Sequence, residues 1–196
     1  MMTRHPCAPA VLCLLGSLLL HGCATPGRIS NINDACRIFS DNPGWRTAME
    51  NTRDRWRTPL HVQLAIMRQE SSFRHDARPP RETVLGVPMP WRKSSAFGFP
   101  QAKDSTWDWY QTKTGNLFAS RDNFADASDF IGWYTDVSHR LLGLSKWDAY
   151  AQYLAYHEGH GGYRRKTYLN KAWLMAVAQR VKTQSLRYAT QLKACP

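Results

Sequence analysis

Thr58-Pro59-Leu60-His61-Val62-Gln63-Leu64-Ala65-Ile66-Met67-Arg68-Gln69-Glu70-Ser71-Ser72-Phe73 is the stretch on which the fold reading turns. Thr58-Pro59 reads as a helix start, a capping hydroxyl followed by proline at the first helical position. Leu60, Leu64 and Met67 then recur at helical spacing, with Ser71 on the same stripe. Glu70 falls at the edge of that stripe and at the helix end, where a carboxylate is half turned toward the core.

Working outward, the same period returns and strand alternation does not. Residues 73–95 hold Pro79, Pro80, Pro88 and Pro90 and read as a long loop, a length that usually carries function. A short helix is expected over residues 105–110. Phe124, Ala127, Ile131, Tyr134, Ser138 and Leu141 mark a longer one from about Arg121 to Gly143. Ser145-Lys146-Trp147-Asp148 reads as the capping box of the next helix, which carries Ala151, Leu154 and Ala155 and stops at Gly159. Leu174, Ala178, Val181, Ser185, Tyr188 and Leu192 share one face of a last helix. The expected class is mainly α.

The N-terminus reads as an address. Arg4 and His5 precede an apolar run from Ala10 to Leu20, too short for a permanent membrane span and suited to a secretory signal. Leu20-His21-Gly22-Cys23 resembles a bacterial lipobox, with Cys23 as the lipidated residue; Ala24 after it resembles outer-membrane sorting. An ordinary signal peptide cut nearby is the other reading. The expected organisation is a signal over residues 1–22, a lipidated cysteine and polar tether over 23–40, and one domain over 41–196. The localisation that follows is the cell envelope, lipid-anchored, at the outer membrane facing the periplasm.

After loss of Cys7 and Cys13 with the signal, and with Cys23 acylated, Cys36 and Cys195 remain. In an oxidising compartment their simplest reading is a disulfide joining the domain's ends; two free thiols are the alternative. The formal charge of +11 loses only Arg4 on processing. Such a surface favours polyanions, and the spread of basic residues without a nucleic-acid motif turns the reading from nucleic acid toward envelope polyanions.

Four segments, in order, carry a resemblance. They are Gln69-Glu70-Ser71-Ser72-Phe73, Ala96-Phe97-Gly98-Phe99-Pro100-Gln101, Tyr153-Leu154-Ala155-Tyr156-His157-Glu158-Gly159, and a downstream tyrosine, Tyr168 or failing it Tyr163. Together they resemble the lytic transglycosylases of the SLT type, which share the goose-type lysozyme fold. Phe99 and Pro100 stand where the family has Leu and Met, and His157 where it has Asn. The resemblance implies a lysozyme-like helical domain with a groove between two lobes, acting on peptidoglycan glycan strands without metal or organic cofactor. It implies Glu70 as acid/base, Ser71 orienting Glu70 or the substrate acetamide, Gln101, Tyr156 and His157 on the sugars, and Tyr168 steadying Glu70. Phe73, Phe97, Phe99 and Tyr156 are expected around Glu70, and Trp107, Trp109 and Trp133 as stacking platforms for sugars.

The chemistry suits that assignment. A glycosidic bond breaks when an acid protonates the leaving oxygen, and a carboxyl does so near neutrality only if burial raises its pKa. A lysozyme of the same fold stays open, with Glu158 or Asp76 positioning a water. So does a non-catalytic peptidoglycan-binding lipoprotein, and a component of an envelope assembly machine. His75-Asp76 with His157-Glu158-Gly159-His160 invites a metal reading, but it lacks the i, i+4 histidine pair of a zinc helix.

Overall fold

The computed structural model describes residues 29–195, so the expected signal, lipobox and Cys23 lie outside the described residues. In chain order the elements are α1 (Ala35–Asp41), α2 (Trp45–Trp56), α3 (Leu60–Ser71), β1 (Arg81–Val84), β2 (Val87–Arg92), α4 (Asp104–Thr114), α5 (Phe124–Leu142), α6 (Ala149–Arg164) and α7 (Ala172–Gln191), with one 3-10 turn over Thr167–Asn170.

Helix α3 is the axis of the body. Val62, Leu64, Ala65, Ile66 and Met67 are buried on every side of it, not only along the expected stripe, because α2, α5, α6 and α7 all pack against it. Its one buried polar side chain before the terminal turn, Gln63, is fully satisfied. Nε2 donates to the carbonyls of Met49 (3.1 Å) and Thr58 (2.8 Å), and Oε1 accepts from Ser128 (2.8 Å). An amide so bonded ties α2, α3 and α5 together without leaving an orphan. Thr58 does not cap α3; its hydroxyl bonds Thr135 and the Gly132 carbonyl, and Pro59 takes the cap position. Likewise Asp148, not Ser145, caps α6, accepting from the amides of Tyr150 and Ala151.

The body begins earlier than expected. The tether was to run to residue 40, yet Ala35 and Ile38 of α1 are wholly buried. Gln191 accepts from the Ala35 amide (3.0 Å) and donates to the Asn33 carbonyl (3.1 Å). Cys36 and Cys195 are joined in a disulfide with Cα atoms 5.3 Å apart across a sequence separation of 159. α2 was also unforeseen, although Trp45, Met49 and Thr52 bury one of its faces.

The expected long loop contains a β-hairpin. Val84 pairs with Val87 and Arg81 with Arg92, and the two residues between, Leu85 (φ +50°) and Gly86 (φ +82°), form a turn of the I′ kind. Pro88 and Pro90 argued against a strand, but a two-stranded sheet is all edge, where a missing N–H costs no ladder bond.

Candidate active site

The C-terminal turn of α3 ends in the site. Ser72 (φ +52°) and Phe73 (φ +61°) are consecutive left-handed residues without glycine, a strained reversal that sends Phe73 into the core against Trp45 and leaves Glu70 at the surface of a cleft. The cleft is a cavity of about 380 Å³ lined by Glu70, residues 96 and 101–103, Thr106, Phe130, Tyr134, and 156–159. It lies between the end of α3, the middle of α6 at Gly159, the face of α5, and the segment leading into α4.

That segment is built to be rigid. Gly98 (φ +71°) approaches α5's entry so closely that a Cβ would sit 2.2 Å from the Arg121 carbonyl oxygen. Gln101 Nε2 donates to the carbonyls of Ala77 (2.8 Å) and Gly98 (2.9 Å), and the Tyr156 hydroxyl donates to the Pro100 carbonyl (2.6 Å). Gln101 and Tyr156 therefore line the cleft while their donors brace its wall. Ser71 is buried behind it, its hydroxyl bonded to the Met67 carbonyl (3.2 Å).

Burial pushes the Glu70 carboxyl up to about 7, with a hydrogen bond from Tyr153 partly offsetting it. The rings that exclude water are Phe130, Tyr134 and Tyr156; Phe73 and Phe99, expected there, belong to a buried cluster with Trp45 and Phe124. Tyr168 does not line this cavity. Its ring stacks on Tyr163 at 5.1 Å beside a separate depression, and Tyr153, three residues before Tyr156 on α6, stands against Glu70 instead. The i, i+3 spacing that puts both tyrosines on one helix face was present in the sequence. Trp107 and Trp133 are core residues and Trp109 packs on Trp133, so none of the three is a sugar platform in this cleft.

The second carboxylate of the cavity is held differently. Burial pushes Glu158 up, but hydrogen bonds from Lys171 (2.7 and 3.0 Å), Thr167 and His157 (3.2 Å) prevail and bring it to about 2. Gly159 (φ +72°, ψ +158°) breaks α6 immediately after it, and the helix resumes to Arg164. His157 thus enters the cleft with Nδ1 on Glu158 and its ring edge-on to Trp173 at 5.3 Å. Asp76 lies outside, exposed and paired with Arg74. Among the described residues no three His, Cys, Asp or Glu side chains converge as a metal site.

A buried acid with a pKa of about 7 and a saturated, ionised carboxylate in one cleft suit protonation of a leaving oxygen. The model of the transglycosylase SLT domain matches residues 11–195. The chain belongs to that family. No curated protein and no solved structure matches it. The mainly helical body is thus that of an SLT domain, with transglycosylase-type cleavage of peptidoglycan as its class of activity. In this SLT domain the first three family segments meet at the cleft, and the fourth does not.

Proposed function

We propose that the protein is a lytic transglycosylase that cleaves the β-1,4 bond between N-acetylmuramic acid and N-acetylglucosamine, with Glu70 as acid and then base. Protonated Glu70 gives its proton to the glycosidic oxygen as the C1–O bond breaks, and the acetamido oxygen of the muramic residue closes on C1. The Glu70 carboxylate then takes the proton of the C6 hydroxyl while O6 attacks C1 and displaces the acetamido oxygen. A 1,6-anhydromuramic end forms, no water is consumed, and Glu70 is again protonated.

The observation that carries this reading is the burial of the Glu70 carboxyl at the wall of a cleft beside Phe130, Tyr134 and Tyr156, which raises its pKa to about 7. Over a lysozyme, the anhydro route is favoured by Glu158. Its oxygens already accept from Lys171, Thr167 and His157, which leaves it poorly placed to activate water. Gln101, Tyr156 and His157 are assigned to the sugars, and Ser71 to holding the turn that presents Glu70. We further assign the chain to the envelope, acylated at Cys23 and anchored at the outer membrane facing the periplasm; a place in an envelope assembly machine is the remaining partner reading.

Digestion of purified sacculi by residues 24–196, with mass analysis of the fragments, tests the reaction. Products lighter by one water than hydrolysed muropeptides are expected. Fully hydrated products would make it a lysozyme, and no release would leave a binding protein. Glu70→Gln is expected to abolish release while sacculus binding persists; retained turnover would move the acid elsewhere.

A further inference from the structure

The β1–β2 hairpin carries apolar side chains that nothing among the described residues covers. Leu85 is 99% exposed at the turn, Val84 and Val87 beside it 48% and 58%, and Trp91 54% further back. Folding alone does not place four such residues in water side by side. At the other end of the hairpin the register sets Arg81 opposite Arg92, with Lys93 next along. Like charges directly across a ladder repel. No carboxylate among the described residues pairs with Arg81, Arg92 or Lys93, and the hairpin's own acid, Glu82, accepts from the Trp91 indole (2.9 Å).

We propose that this hairpin is a docking finger for an anionic lipid bilayer surface. The two ends match the two layers of such a surface. Leu85 lies four steps along the chain from Arg81, about 13 Å at the rise of an antiparallel strand. An apolar tip sunk about 5–10 Å into the headgroup boundary sets the arginines at the level of lipid phosphates and Trp91 in the interfacial belt. Lipid phosphate then supplies Arg81 and Arg92, the latter bonded to the Pro79 carbonyl, with the counter-charge that no described carboxylate gives them. On the anchoring proposed above, with Cys23 acylated, residues 24–28 span at most about 20 Å between the lipid and the first described residue, which would keep the body within range of a membrane. The finger works without reference to the chemistry at Glu70.

Residues 24–196, which hold every buried side chain described above, are to be sedimented with vesicles of phosphatidylcholine alone and of phosphatidylcholine with phosphatidylglycerol. Binding to the phosphatidylglycerol vesicles is expected, weakening as salt rises. The Leu85→Asp/Val87→Asp pair is expected to weaken it roughly tenfold or more, since two apolar contacts are lost. Because these side chains support no core, its melting temperature is expected to match the wild type. Failure of the wild type to bind anionic vesicles, or equal binding by the pair, overturns the proposal. Loss of turnover of soluble glycan by the pair in lipid-free solution also overturns it, since the hairpin would then be a wall of the glycan groove.

Discussion

At the scale of single residues, the acidity of Glu70 makes a two-sided statement about pH. Its folded pKa of about 7 stands above the ordinary 4.5 because burial penalises the charge. In the proposed reaction Glu70 starts protonated, so turnover of sacculi is expected to hold below neutrality and to fall as pH rises through about 7. A profile flat to pH 9 would contradict the assignment. The stability side has the same sign. Between 4.5 and about 7 the folded chain keeps a proton that the unfolded chain releases, so this contribution is fully present below 4.5 and lost as pH rises through the folded value. It amounts to at most about 3 kcal/mol. Glu70→Gln is expected to flatten that slope in denaturant melts taken across the window. Tyr153→Phe removes the hydrogen bond that lowers Glu70, so the descending limb of activity is expected to move to higher pH. A limb that stays put would mean that the hydroxyl does not reach the carboxyl in solution.

Between elements, α5 lends Phe130 and Tyr134 to the cleft and packs closely on α2. Gly132 lies mid-helix in α5, where a Cβ would sit 2.3 Å from Thr52 Cγ2 and 2.9 Å from Trp56 Cδ1. Propensity alone favours alanine there by about 1 kcal/mol. The close approach is expected to reverse that sign: Gly132→Ala destabilises by about 1–3 kcal/mol, read as a lower urea midpoint, because α2 and α5 must separate. A gain in stability would show that the pair yields easily. Phe130 and Tyr134 stand on the same helix and line the cleft, so the spacing of this pair also tunes the site.

For the molecule as a whole, the chain ends are fastened to each other and away from the site. The Cys36–Cys195 bridge closes nearly the whole body, and the Tyr188 hydroxyl donating to the Ile32 carbonyl reinforces the same seam. In the chain-entropy model a loop of this size is worth up to about 5 kcal/mol. Cys36→Ser/Cys195→Ser is expected to lower the melting temperature substantially while leaving glycan release at low temperature near the wild-type rate. The bridge borders a different depression from the cleft that holds Glu70. Equal stability with and without reductant would show the bridge absent in solution.

Local information sufficed for what depends on local pattern. The period of Leu60, Leu64 and Met67, of the Phe124 to Leu141 run and of the Leu174 to Leu192 run marked α3, α5 and α7, because an amphipathic helix writes its buried face at constant spacing. The groove shared by Glu70, Gln101 and Tyr156 came instead from the resemblance carried by their ordered segments. What depends on approach between distant segments was decided by the tertiary structure. Which tyrosine faces Glu70, whether a tryptophan is core or platform, and which carboxylate has its pKa raised all turn on neighbours far away in the chain. A pKa in particular is a property of the space around a group, and the residues that empty that space of water come from α3, α5 and α6 together.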